Sequence, residues 1–200
     1  MTSTTPSDAA LRRAVAAVAI LNLAYFGVEF SAALAIGSVS LFADSVDFLE
    51  DASINLLILM ALGWSAGTRA RVGMALAAIL LVPGLATLWT AWQKFSVPVP
   101  PAPLPLSLAG AGALAVNLAC ALLLARFRGE AGSLTRAAFL SARNDAFANV
   151  AIVAAGLVTA ATLSAWPDLI VGLAIAAMNA GAAREVFAEA QREHVAAAEP

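Results

Sequence analysis

Four carboxylates crowd into one short apolar stretch of the sequence, at Asp44, Asp47, Glu50 and Asp51. A carboxylate at the centre of a membrane helix costs about 3 kcal/mol on insertion scales. If the stretch is helical, the three aspartates and Asn55 share an arc of roughly 80°, and Glu50 lies to one side. Such a stripe of oxygen atoms suits a cation, because a cation relieves both the desolvation of the carboxylates and their mutual repulsion.

Two structural explanations compete with a cation site in this stretch. Asp44 follows Gly37 by seven residues, so it could lie in water at the end of a helix. A carboxylate could also pair with a buried arginine, for which Arg143 is the candidate. Asp47 and Asp51 lie deeper in the apolar segment, which favours a functional role for them.

A second polar cluster, at Ser141, Asn144, Asp145 and Asn149, lies in a later apolar segment. Ser141 and Asp145 are four residues apart and therefore share a helix face, whereas Arg143 points nearly the opposite way. A hydroxyl bonded back to its own helix is the ordinary explanation for Ser141. Asp145 is a lone carboxylate with at least one helical turn of chain on either side, and a functional role is predicted for it.

The first apolar segment contributes Asn22 and Glu29, which are two helical turns apart on one side. Glu29 is predicted to pair with Arg143, to relay protons, or to form a plain interhelical hydrogen bond. Asn117 and Asn179 are single amides in later segments, and hydrogen bonding between helices is the favoured explanation for both.

These polar residues belong to a chain of 200 residues that is 62% hydrophobic and 12% charged. Soluble domains are about 25% charged, so a membrane domain is predicted. A spanning helix needs roughly 20 apolar residues. The predicted fold is an all-α membrane protein with six transmembrane helices, at about residues 14–36, 41–63, 72–92, 106–125, 139–163 and 169–187.

The placement of basic residues predicts that both termini are cytoplasmic. With six spans, Lys94 alone falls on the opposite side, where Asp168 is expected at the N-terminus of the last helix. Residues 1–12 are predicted to be a disordered tail, 13–190 the transport domain and 191–200 a short tail. The arginines of the cytoplasmic side are Arg12, Arg13, Arg69, Arg71, Arg126, Arg128, Arg136, Arg184 and Arg192.

Composition and missing motifs exclude several classes of function. A net charge of −2 argues against nucleic acid as a partner. Cys120 is the single cysteine and is expected to be a packed thiol, and His194 is the single histidine and lies in the polar tail. The apolar segments therefore contain no histidine that could act as a catalytic base. The sequence also contains no phosphate-binding GxxxxGK[ST] loop. We expect no enzyme activity and no permanently bound cofactor, and an ion gradient as the source of energy.

The motifs together resemble the cation diffusion facilitator (cation efflux) family, whose members are six-helix transporters of divalent metals. That family carries a glycine-serine pair, an Ala-Asp and a His/Asp-x-x-x-Asp pair in its second span, and a second such pair in its fifth. The matching residues here are Gly37-Ser38, Ala43-Asp44, Asp47 and Asp51, then Ser141 and Asp145, with Asn22, Glu29 and Trp166-Pro167-Asp168 as further similarities.

Two departures from the family pattern stand out. Ser141 occupies a position where the family usually has histidine or aspartate, and the short sequence after the last predicted helix leads us to expect a form without the family's cytoplasmic C-terminal domain. The resemblance implies metal ligands at Asp47, Asp51, Asp145, Ser141 and Asn144, and secondary ligands or proton relays at Asp44, Glu50, Glu29 and Asn149.

The resemblance implies a secondary transporter that exchanges divalent metal (manganese, iron, cobalt or zinc) for protons, as a homodimer in a bilayer, expected to be a bacterial inner membrane. Because the expected ligands are all oxygen atoms, manganese, iron(II) or cobalt is favoured over zinc. Two alternatives remain open. One is a proton-coupled organic-cation transporter, although Phe48 is the one aromatic residue between Asp44 and Asp51. The other is a non-transporting membrane module that senses metal or acts as a scaffold.

Overall fold

The computed structural model of the protein describes residues 6–61, 66–127 and 132–196, and these residues form helices. The all-α fold with six helices is thereby confirmed. The helices are α1 (Pro6–Ile36), α2 (Val39–Ala61), α3 (Ala66–Ser96), α4 (Pro103–Ala125), α5 (Gly132–Thr162) and α6 (Trp166–Ala196).

The terminal helices extend beyond the predicted domain limits. α1 begins at Pro6, and α6 continues past residue 190 to Ala196. The division into a transport domain and two tails stays a prediction. Helix formation depends on intrinsic propensity as well as on a continuous apolar segment, and Ala10 and Leu11 are among the best helix formers. The apolar segments in the sequence therefore underestimated the length of the two terminal helices.

Three of the described helices contain stretches that are long and apolar enough to cross a membrane, judged by length and composition. These stretches are Ala9–Ile36, Pro103–Ala125 and Ser141–Thr162, and α6 adds a shorter apolar stretch at Trp166–Gly181. α2 is not among these stretches because it carries four carboxylates, but it contacts all five other helices and is thus shielded by them. The cytoplasmic orientation of both termini stays a prediction.

A tight turn joins α1 to α2. Gly37 ends α1 with a φ of 64°, a left-handed conformation that glycine adopts without steric cost. The N–H of Ser38 bonds back to the carbonyl of Ala33 at 3.0 Å, and the Ser38 hydroxyl then accepts the N–H of Leu41 at 3.1 Å. Ser38 is therefore the N-cap of α2, and the turn lays α1 and α2 side by side in opposite directions.

The antiparallel pairing of α1 and α2 brings their polar residues to two distinct levels. Asn22 contacts Asp51, and seven residues further along α1, Glu29 faces Asp44. Seven residues of helix correspond to about 10 Å. The polar side chains of α1 and α2 therefore meet twice, at levels about 10 Å apart.

The N-terminus of α2 is fastened by Asp168, the first acidic residue of α6. Its carboxylate accepts the N–H groups of Val39 and Ser40 and the hydroxyls of Ser38 and Ser40, at 2.6–3.1 Å. Lys94 completes this arrangement with a buried ion pair at 2.8 Å. We call Ser38, Ser40, Lys94 and Asp168 the Asp168 latch, because it ties α2, α3 and α6 together.

An apolar cluster separates the Asp168 latch from the nearest polar level of the interior. Leu41 and Phe42 lie between the latch and Asp44 along α2. Residues from four other helices complete the cluster, which we call the apolar plug, and its buried members are Ala33, Leu41, Phe42, Ala43, Leu106, Ile152 and Ile175. At the end where α2 begins, the interior is thus closed by packed hydrocarbon and by the latch.

Candidate functional site

Two carboxylates from different helices meet at one serine hydroxyl. Ser141 Oγ on α5 lies 3.1 Å from Asp51 Oδ1 on α2 and 3.5 Å from Asp145 Oδ2. A hydroxyl has one hydrogen to donate, so it can satisfy one of these oxygens at a time. Asn22 Nδ2 approaches the other oxygen of Asp51 at 3.4 Å. We call Asn22, Asp51, Ser141 and Asp145 the Asp51 layer.

The carboxylates of the Asp51 layer are partly accessible, in contrast to Glu29 and Asp44. Asp51, Ser141 and Asp145 are half-buried, whereas Asn22 is fully buried. The layer lies in the half of α2 that is farther from the Asp168 latch.

Asp47 lies one helical turn before Asp51 and within electrostatic range of Asp145. Among the residues that the structure describes, however, no three His, Cys, Asp or Glu side chains converge closely enough to hold a metal ion. Asp47, Asp51 and Asp145 are therefore neighbours, as the sequence predicts, but in this conformation they do not enclose a common point.

Asn144 does not join the cluster in which the sequence placed it. Its side chain is exposed, and its Oδ1 accepts a hydrogen bond from Arg143 at 3.3 Å. One residue turns the helix by about 100°, which separates Asn144 from the face that carries Asp145. The predicted pairing of Glu29 with Arg143 is wrong as well, because both carboxylate oxygens of Glu29 are buried without a partner.

A second polar level, around Asp44, is completely enclosed. Asn149 Nδ2 donates a hydrogen bond to Asp44 Oδ2, and Asn117 Nδ2 donates to Asn149 Oδ1 at 3.0 Å. Glu29, Asp44, Asn117 and Asn149 form the Asp44 layer, and all four are buried. Because Asp44 has 0% of its surface exposed, the explanation that it lies in water at a helix end is wrong.

Glu50 belongs to neither layer, although it is buried with 9% of its surface exposed. Asn55 occupies the stripe one turn after Asp51 and donates its amide back to the Asp51 carbonyl at 2.8 Å. The amide oxygen of Asn55 is left buried without a partner. It is a neutral oxygen on the same side of α2 as the carboxylates, and it is therefore a further candidate ligand.

Several contacts of the site were not predicted from the sequence. Asn22 approaches Asp51, and Cys120 Sγ on α4 lies 3.5 Å from Asn22 Oδ1. Lys94, which the sequence assigned to the membrane surface, is buried against Asp168. The Gly37-Ser38 turn was the available signal for the first contact, because a tight reversal places residues 22 and 51 opposite each other.

A comparison with protein families identifies the chain. The sequence profile described as the cation efflux transmembrane domain matches residues 15–193, which includes nearly all of the helical bundle. The chain belongs to the cation efflux family. It is therefore an integral membrane protein of a family that transports metal cations, and the resemblance found in the sequence is confirmed. The comparison with curated proteins gave no significant match.

Proposed function

We propose that the protein is a secondary transporter of divalent metal cations that binds its substrate at the Asp51 layer and exchanges it for protons. One observation carries the proposal: Asp51 of α2 and Asp145 of α5 lie on either side of the Ser141 hydroxyl. Two carboxylates in this position repel each other, and a divalent ion between them would replace the repulsion by attraction.

Asp47 supplies the third carboxylate of the proposed site. It lies one turn from Asp51 and already interacts electrostatically with Asp145. A change of its side-chain rotamer toward the Asp51 layer would complete the ligand set around an incoming ion. Because the ligands come from both α2 and α5, a relative shift of these helices would open or close the site. Such a shift is the requirement for alternating access to one central site.

The donor atoms favour a hard cation. Asp47, Asp51, Asp145 and Ser141 offer oxygen atoms, and no nitrogen ligand stands at the position of Ser141. Manganese accepts carboxylate and hydroxyl ligands, whereas structural zinc sites are built mainly from cysteine and histidine. We therefore expect manganese, iron(II) or cobalt to be transported in preference to zinc.

Accessibility supports entry of the metal from the end of the bundle opposite the Asp168 latch. The carboxylates of the Asp51 layer are half-buried, and the apolar plug closes the other end. With the predicted orientation, the open end faces the cytoplasm, so that transport is directed outward. Metal ligands must be deprotonated, so protons entering from outside would displace the ion. This competition couples metal export to inward proton flow.

Flux into proteoliposomes under a pH gradient tests the proposal. The assay compares manganese, iron(II), cobalt and zinc for the wild-type protein and for Asp51→Asn, which removes the charge and keeps the shape. The matched control is Thr159→Val, which removes a buried hydroxyl outside both layers and keeps a side chain of similar shape. We expect gradient-driven flux for the wild type and the control, and its loss in Asp51→Asn.

Three outcomes of the same assay would contradict the proposal. Equal flux by Asp51→Asn would remove the Asp51 layer from the transport path. Flux of an organic cation in place of every metal would favour an organic-cation transporter. Folded protein without any flux would favour a non-transporting module.

A further inference from the structure

Glu29 and Asp44 form a pair of carboxyl groups that the protein encloses entirely. Both side chains have 0% of their surface exposed. The two carboxyl groups lie within hydrogen-bonding reach of each other. Without a hydrogen between them, both oxygens of Glu29 and Oδ1 of Asp44 remain buried and unpartnered. Two ionised carboxylates cannot bond each other, so the pair requires a cation.

Among the residues that the structure describes, the groups around the pair do not supply a positive charge. Tyr25 precedes Glu29 by one turn, and its hydroxyl donates to the Ala109 carbonyl at 2.6 Å. On α2, Asp47 and Asp51 lie on the stripe that continues from Asp44, and α5 adds Asp145. α4 contributes the neutral Asn117, through its bond to Asn149. The ionisable groups that face the pair are therefore acidic or phenolic.

The enclosure of the pair favours a proton over a metal ion as the cation that Glu29 and Asp44 share. Asn149 presents its amide hydrogens to Asp44 while its oxygen accepts from Asn117. This hydrogen bond leaves Asp44 Oδ1 without a partner, and the pair offers two carboxyl groups in a space closed to solvent, where a divalent ion would lack the water molecules that complete its coordination. A proton needs two oxygen atoms at hydrogen-bond distance, which is what Glu29 and Asp44 offer.

We infer that Glu29 and Asp44 form a proton site that holds one shared proton and releases it when metal binds to the Asp51 layer. This inference rests on the proposed function and names the residues that carry a proton of the exchange. In the release step, the O–H bond of one carboxyl group breaks, the proton is transferred along the polar side of α2 to water at the half-buried Asp51 layer, and both carboxylates remain ionised. The reverse step restores the shared hydrogen bond.

The distance between the layers explains how one site senses the other. The two layers are about 10 Å apart along α2, with Asp47 between them. Charges at this separation interact strongly inside a protein, where the effective dielectric constant is far below that of water. A divalent ion at the Asp51 layer therefore favours the ionised pair, and departure of the ion favours return of the proton. Release of one proton thereby halves the change in net charge that binding of the divalent ion would otherwise impose on the interior.

Proton release on metal binding tests the inference. Isothermal titration of manganese into purified protein, in buffers of different ionisation enthalpy, counts the protons released per ion bound. We expect Glu29→Gln to bind manganese with an affinity within a few-fold of wild type and to release one proton fewer. Asp44→Asn should show the same deficit, and Thr159→Val should match the wild type.

The variants separate failure of the inference from failure of the proposed function. If Asp51→Asn binds manganese with the affinity of the wild-type protein, the metal site itself is wrongly placed, whatever Glu29→Gln shows. If Asp51→Asn loses binding and Glu29→Gln releases the wild-type number of protons, the proton site is refuted. Should neither Glu29→Gln nor Asp44→Asn fold, infrared difference spectra of the wild type decide. Loss of a protonated-carboxyl band on adding manganese supports the inference, and absence of any such band in metal-free protein overturns it.

Discussion

Replacing Lys94 by methionine should destabilise the helical bundle strongly. The substitution keeps most of the side-chain volume but leaves the Asp168 carboxylate, which has 0% exposure, without its counter-charge. Removing one partner of a buried ion pair costs about 3–5 kcal/mol. Four hydrogen bonds from α2 still reach Asp168, so we expect the lower end, about 3 kcal/mol. For a chain of this size that corresponds to a melting temperature lower by roughly 6–12 °C.

Thermal unfolding in detergent micelles, followed by circular dichroism, measures this loss. Arg126→Met is the matched control, because Arg126 is exposed and its replacement should change stability by less than about 0.5 kcal/mol. The double variant Lys94→Met with Asp168→Asn should recover part of the loss, since no buried charge is stranded. If Lys94→Met melts at the same temperature as Arg126→Met, the ion pair is solvated and the latch does not hold α2.

Further predictions concern the metal, the pH and the helix packing. Ser141→His should shift the ratio of zinc to manganese transport toward zinc, because it adds a nitrogen ligand beside Asp51 and Asp145; an unchanged ratio would place residue 141 outside the coordination sphere. Metal flux should fall as the pH is lowered on the side from which metal enters, since protons compete for the carboxylates; flux independent of that pH would refute the competition. Gly172→Ala should lower the free energy of unfolding by about 1–3 kcal/mol, because a Cβ atom would lie 2.7–2.8 Å from Val39 and the backbone of α2. Thermal unfolding measures this loss, and wild-type stability would show that the helices separate easily.

The oxygen stripe of α2 could be predicted from the sequence because it depends on the helix alone. The rotation per residue places Asp44, Asp47 and Asp51 on one side, whatever surrounds the helix. The same geometry related Ser141 to Asp145. Asn144 was misplaced because it was assigned by its proximity in sequence, although one residue of rotation carries it to the exposed face.

The division of the interior into two layers could not be predicted, because it depends on the register between helices. A shift of one turn would have placed Glu29 beside Asp47 or in the apolar plug. The Gly37-Ser38 turn bears on the register of α1 with α2, but no sequence pattern sets the register of α4 and α5 against them. The Asp168 latch is a similar case, since Lys94 and Asp168 are 74 residues apart in sequence. From the apolar pattern alone, Lys94 was expected at the membrane surface and Asp168 at the N-terminus of its own helix, with no sign that the two would meet.

Anomalous diffraction from crystals of the protein grown with manganese tests the central claim most directly, because it locates the ion independently of transport. We predict an anomalous peak between Asp51 and Asp145, within coordination distance of both carboxylates, and its loss in Asp51→Asn. A peak between Glu29 and Asp44, or peaks confined to surface carboxylates, would contradict the assignment of the metal to the Asp51 layer.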